Sequence, residues 1–127
     1  MRSYRTSLSR VKGLGSAHEG TDHFWKQRIT GATNFLLLVF VFYSVIRLAG
    51  EPLPVVRGYF ASPIVAALAI LFTLSVTYHM RIGMQVIIED YVHAPVSKVT
   101  LLYLNTLFAA LVALTAIVAI IKLSLGA

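Results

Sequence analysis

The stretch GYFASPIVAALAILFTLSVTYHM, residues 58–80, runs without a single charged side chain. A helix rises about 1.5 Å per residue, so a run of this length crosses the roughly 30 Å of hydrocarbon in a bilayer. Its solvent is lipid. Working outward, a second uncharged run, FLLLVFVFYSVI at 35–46, lies inside an apolar span from about Ile29 to Leu48. A third span runs from about Val99 to Leu123. None alternates as a barrel strand would. The composition agrees: 57% of the 127 residues are apolar and 13% charged, against about a quarter charged in soluble domains. A soluble chain this short has too little interior to hide such a surface. The reading is an all-α membrane protein with three transmembrane helices.

The links follow from the helix breakers. Gly50, Glu51, Pro52, Leu53 and Pro54 end the first span, because closely spaced prolines cannot continue a helix. Ser62 and Pro63 start the second, a cap residue followed by proline at the first helical position. Its helical spacing runs on to Glu89, and Ala94–Pro95 breaks it. The expected organisation is a basic polar head over 1–28 and a three-helix anchor over 29–127, with spans near 29–48, 62–89 and 99–123. The first span is too long and too far from the start to be a cleavable signal.

Basic residues set the orientation. Arg2, Arg5, Arg10, Lys12, Lys26 and Arg28 precede the first span, and the later links carry far fewer. The head is therefore expected in the cytoplasm and the C-terminus in the periplasm. The net charge of +6 is mostly this orientation signal. A nucleic-acid reading has no soluble basic domain to carry it. The chain has no cysteine, which excludes disulfides, thiolate metal sites, cysteine nucleophiles and an iron–sulfur cluster held by this chain. It has no nucleotide loop and no Ser–His–Asp set, so partner chains must bring most of any chemistry.

Polar groups inside spans are costly and call for explanation. On a helix turning about 100° per residue, His79 and Asp90 fall within about 20° of one another. Leu68, Phe72, Ser75, Gly83 and Val86 share their stripe. Ser75 and Gly83 leave a shallow slot beside the imidazole. The slot reads as a helix-packing groove with His79 as an interhelical hydrogen-bonding group, as a haem face, or as part of a proton relay. His18 and His23 in the head and His93 in the loop give no convincing second iron ligand, so a six-coordinate haem needs one from another chain. Glu89, Asp90 and Tyr91 read as an interfacial belt, or as a phenol placed for a carbonyl with a carboxylate beside it. Arg28 reads as a snorkelling anchor beside Trp25, or as a cation for a propionate or oxyanion. Tyr103, Asn105 and Thr106 are explained by packing.

This arrangement resembles the small hydrophobic membrane anchor subunit of bacterial succinate dehydrogenase. The likeness rests on His79, then Ile82-Gly83-Met84, then Asp90-Tyr91 eleven and twelve positions after the histidine, with Asp22-His23-Phe24 and Arg28 in the head. It covers about residues 20–127. The resemblance implies a membrane anchor that pairs with a second three-helix chain, the cytochrome b subunit, and holds the flavoprotein and iron–sulfur subunits on the bacterial inner membrane. It implies a haem b shared with the cytochrome b subunit, and a ubiquinone site. Carried across, His79 is the axial ligand, Arg28 lies near the haem propionates, Tyr91 donates to quinone and Asp90 is its neighbour. Arg81 departs from the pattern, where relatives carry a large aromatic. It lies about 200° from His79 on the helix and is expected to snorkel. Two other functions compete: the anchor of a fumarate reductase, and a small helical assembly or transport protein in which His79 and Asp90 relay protons.

Overall fold

The computed structural model describes residues 6–12 and 19–126. Among the described residues there is no strand. The elements are α1 (Ser7–Val11), α2 (Glu19–Leu48), α3 (Leu53–Phe60), α4 (Pro63–Tyr91) and α5 (Pro95–Leu125). Three of them, α2 from Thr21 onward, α4 and α5, are long and apolar enough to cross a membrane.

The helices outrun the apolar spans. α2 begins at Glu19 rather than at the apolar edge near Ile29, since its polar first turns contain no proline and are tied by side-chain pairs one turn apart. Asp22 pairs with Lys26, and the Arg28 guanidinium lies over the Phe24 ring, 4.3 Å from its centre. α2 ends at Leu48 on the left-handed Gly50, whose φ is +79°, and the Glu51 amide returns to the Leu48 carbonyl at 3.1 Å. The prolines of this link do more than stop α2. Pro52 is the N-cap of α3, and Pro54 sits in its first turn. Likewise Pro95 opens α5, which starts there rather than at Val99. A proline lacks the N–H that the first turn leaves unpaired anyway, so it breaks one helix and starts the next. Pro63 opens α4 as its position after Ser62 requires.

α4 is the middle helix, packing on α2 along one side and on α5 along the other, with α3 laid against α4 and α5. The contacts fix two antiparallel registers. Gln27 meets Gly83 and Gly31 meets His79 between α2 and α4. Arg81 meets Thr106, and Lys98 meets the Glu89 carbonyl, between α4 and α5. At the far end the buried Ser44 binds Tyr59 of α3 at 2.8 Å. The Ser44 proton goes to the Phe40 carbonyl, so Tyr59 is the donor to Ser44.

Little of the apolar surface is covered. Leu37, Ile82, Ile88 and Ala109 are buried, while Phe35, Leu36, Ile46 and Ile64 are each more than 70% exposed. Such faces are stable against lipid tails or neighbouring helices, not against water. All three long helices hydrogen-bond their own backbones, the condition for a chain that spans a bilayer. The protein is a multi-pass membrane protein.

Candidate functional site

His79 faces α2, and the α2 residues around it decide its chemistry. Thr30 Oγ1 stands 2.9 Å from His79 Nδ1. The Thr30 hydroxyl has one proton, and it points to the Lys26 carbonyl at 2.7 Å. Thr30 can therefore only accept from the ring, which places the imidazole proton on Nδ1 and leaves Nε2 unprotonated. The Gln27 amide donates to Nε2 across 3.5 Å, a long and weak bond. Helix α2 comes this close because Gly31 has no side chain: a Cβ there would lie 3.4 Å from His79 Cε1.

The slot expected beside the imidazole exists at Gly83, and Gln27 lies in it. A Cβ on Gly83 would sit 3.4 Å from Gln27 Nε2. The Gln27 Oε1, Asn34 Oδ1 and Ser75 Oγ atoms are buried with no hydrogen-bond partner. The register set by Thr30–His79 brings Asn34 level with Ser75 one turn further on. Buried oxygens lacking a donor inside a membrane are costly, so this seam is incomplete within the single chain.

Toward the N-terminal end of α2 the seam opens into a cavity of about 360 Å³ lined by His23, Phe24, Gln27, Arg28 and Val86. Arg28 is exposed on its rim. His79, Arg28 and His23 thus share one seam through Gln27. Asp90 and Tyr91 do not join it. They close α4 about 6–8 Å beyond Val86 along its axis, and Tyr91 is 78% exposed. Asp90 has no bonding partner among the described residues, while Glu89 takes the Gln85 amide at 2.8 Å and its carbonyl takes Lys98. His18 lies outside the described residues. Arg81 points away from the seam, as its angle requires, and its Nε donates to Thr106 of α5 at 3.2 Å.

The α2 partners of His79 were missed at the sequence level. Their signal was a stripe of polar or small residues, Gln27, Thr30, Gly31 and Asn34, at helical spacing in an otherwise apolar helix.

The donor set bears on whether a haem fits here. One imidazole is held in the tautomer that leaves Nε2 free for a metal, its other nitrogen is oriented by a hydrogen bond, and a cation sits further along the same seam. Among the described residues no three His, Cys, Asp or Glu side chains cluster as a metal site. The set fits one half of a shared haem site, provided that Gln27 swings aside.

These features define a multi-pass helical membrane protein with a polar seam between α2 and α4. Over residues 2–121 the chain matches the family described as succinate dehydrogenase/fumarate reductase transmembrane subunit. It is 29% identical over 124 residues to the succinate dehydrogenase hydrophobic membrane anchor subunit of Paracoccus denitrificans, covering 98% of this chain and 95% of that one. The proteins of the same name from Rickettsia bellii and Rickettsia typhi are 28% and 29% identical, each over 92% of this chain and 94% of the relative. No solved structure matches it. The chain belongs to the succinate dehydrogenase/fumarate reductase transmembrane subunit family, and its role is that of a membrane anchor.

Proposed function

We propose that this anchor completes, with partner chains, a b-type haem site and a ubiquinone-reduction site in succinate:quinone oxidoreductase of the bacterial inner membrane. The partners are a cytochrome b subunit, which would supply a further ligand to the haem, and the iron–sulfur and flavoprotein subunits docked on the cytoplasmic side. His79 would hold the haem through Nε2, and Arg28 would neutralise a propionate. Tyr91 donates to a quinone carbonyl, with Asp90 beside it as a carboxylate able to orient the phenol or pass a proton. A haem bound here supplies one-electron storage. Converting a quinone to a quinol takes two electrons, which come from the soluble subunits, and two protons, for which Asp90 and Tyr91 are the titratable groups at this end of α4.

The observation that carries the haem part is the Thr30–His79 bond, which keeps the proton on Nδ1 and the lone pair on Nε2. The fumarate reductase alternative shares the family, but the relatives from Paracoccus and Rickettsia are named for succinate dehydrogenase. The test is a reduced-minus-oxidised spectrum of the co-purified complex. His79→Ala is expected to remove or shift the sharp haem bands in an assembled complex. An unchanged spectrum and potential would remove the ligand assignment. Orientation is tested separately, by a reporter fused to the C-terminus, expected to read as periplasmic.

A further inference from the structure

The opposite side of α4 carries a feature that the haem and quinone reading leaves unused. Arg81 faces α5, and its Nε donates to Thr106 Oγ1 at 3.2 Å. The Thr106 proton is committed to the Leu102 carbonyl at 3.0 Å, so Thr106 is an acceptor and is satisfied. Asn105 binds the Arg81 carbonyl at 2.9 Å, which ties the backbone and leaves the charge untouched. A guanidinium has five N–H donors. The terminal nitrogens of this one have no partner among the described residues. The only acids on α4 and α5 are Glu89 and Asp90, about 12 Å or more down the helix axis. Thr106 meets one of the five donors with a neutral oxygen, and among the described residues no anion reaches the charge.

Arg81 and Thr106 form one end of a groove of about 500 Å³ between α4 and α5. The register that pairs them carries the groove past Tyr78 and Ala110 to Leu74 and Ala113, two turns on. Thr77, also in its wall, spends its hydroxyl on the Thr73 carbonyl at 2.6 Å. The groove is thus cationic at one end and apolar along its length. Its depth follows from the other register. Between the Gln27–Gly83 and Thr30–His79 contacts, Arg81 falls level with Arg28, where α2 passes from its apolar span to Trp25 and Lys26. Aromatic and basic residues in such a cluster mark the headgroup boundary. The charged end therefore lies where phosphates lie, and the apolar end runs into the hydrocarbon. A second groove on the other flank of the same helix pair, lined by Met80, Met84 and Phe108 among others, carries no charge.

We propose that the Arg81 groove binds an anionic phospholipid from the leaflet that holds the N-terminal end of α2. The phosphodiester accepts from the free guanidinium nitrogens, which suit a bidentate oxygen pair. An acyl chain lies along Tyr78, Leu74 and Ala113.

The test uses the intact complex in nanodiscs, with labelled phosphatidylglycerol and phosphatidylcholine as paired probes and retention read by native mass spectrometry. Wild type is expected to retain phosphatidylglycerol over phosphatidylcholine, and Arg81→Gln to lower that preference about fivefold. Ala113→Leu, which fills the apolar end and keeps the charge, is expected to lower it too. It also serves if Arg81→Gln fails to assemble. Met84→Leu on the other groove should change nothing. Equal retention of the two lipids in wild type would overturn the proposal. So would competition by inorganic phosphate alone, displacement by a neutral quinone, or a cross-link from position 81 to a carboxylate of a partner chain.

Discussion

The hydroxyl of Thr30 accepts from Nδ1 of His79 at 2.9 Å because its own proton is already given to the Lys26 carbonyl at 2.7 Å. One ordinary helical hydrogen bond thus selects the tautomer of a histidine on the neighbouring helix. Second-sphere bonds of this kind are typically worth about tenfold to a hundredfold in metal affinity. Thr30→Val removes the acceptor at nearly constant shape and is expected to weaken haem retention within that range, with a shifted potential. Thr30→Ser should restore both. Redox titration of the purified complex checks it, and a Val variant indistinguishable from wild type would mean that the bond does not set the ring.

The two glycines of the seam give a steric test. A Cβ at Gly31 or Gly83 would stand 3.4 Å from its nearest neighbour, which is close but tolerable. Alanine at either position is therefore expected to assemble with its pigment nearly intact. Leucine is not, since overpacking a fitted contact costs about 1–3 kcal/mol. Haem content per assembled complex separates the two, and a fully pigmented Gly83→Leu complex would place the haem elsewhere.

At the other end, Tyr59 donates to Ser44 and Ser44 donates to Phe40. Tyr59→Phe removes a donor and leaves the Ser44 oxygen short of one bond, about 1 kcal/mol. Ser44→Ala instead strands the tyrosine hydroxyl without an acceptor, about 1–3 kcal/mol. Ser44→Ala should therefore be the more damaging in detergent unfolding of the complex. The reverse order would reverse the assigned donor.

The spans were legible because a run without charge has one stable solvent, and Pro63 was legible because a cap residue stands before it. The start of α5 at Pro95 and the helix α3 were not, since proline both breaks and begins helices and the sequence alone showed the break. The stripe bearing Ser75, His79 and Gly83 could be drawn from periodicity within α4. Its partners Gln27, Thr30 and Gly31 could not, because a seam belongs to two helices and their register is set by packing. Arg81 was legible as pointing away from His79. That α5 receives it through Thr106 depended on the second register, which no single-helix pattern contains.

Tyr91 ends α4 at 78% exposure, with its phenol unshielded by its own chain. Tyr91→Phe keeps the ring and deletes only the hydroxyl. Quinone reduction is expected to fall by about 10²–10⁴, the usual contribution of one positioned donor or acid. Succinate oxidation with a soluble dye should survive, since those electrons leave from the peripheral subunits before reaching α4. Asp90→Asn discriminates between two roles for the carboxylate. If Asp90 only orients the phenol, the loss should be smaller than in Tyr91→Phe and independent of pH. If it passes protons, the loss should be at least as large and should deepen as pH rises and protons become scarce. Normal quinone turnover in an assembled Tyr91→Phe complex would leave Tyr91 as an interfacial residue and move the quinone site off this end of α4.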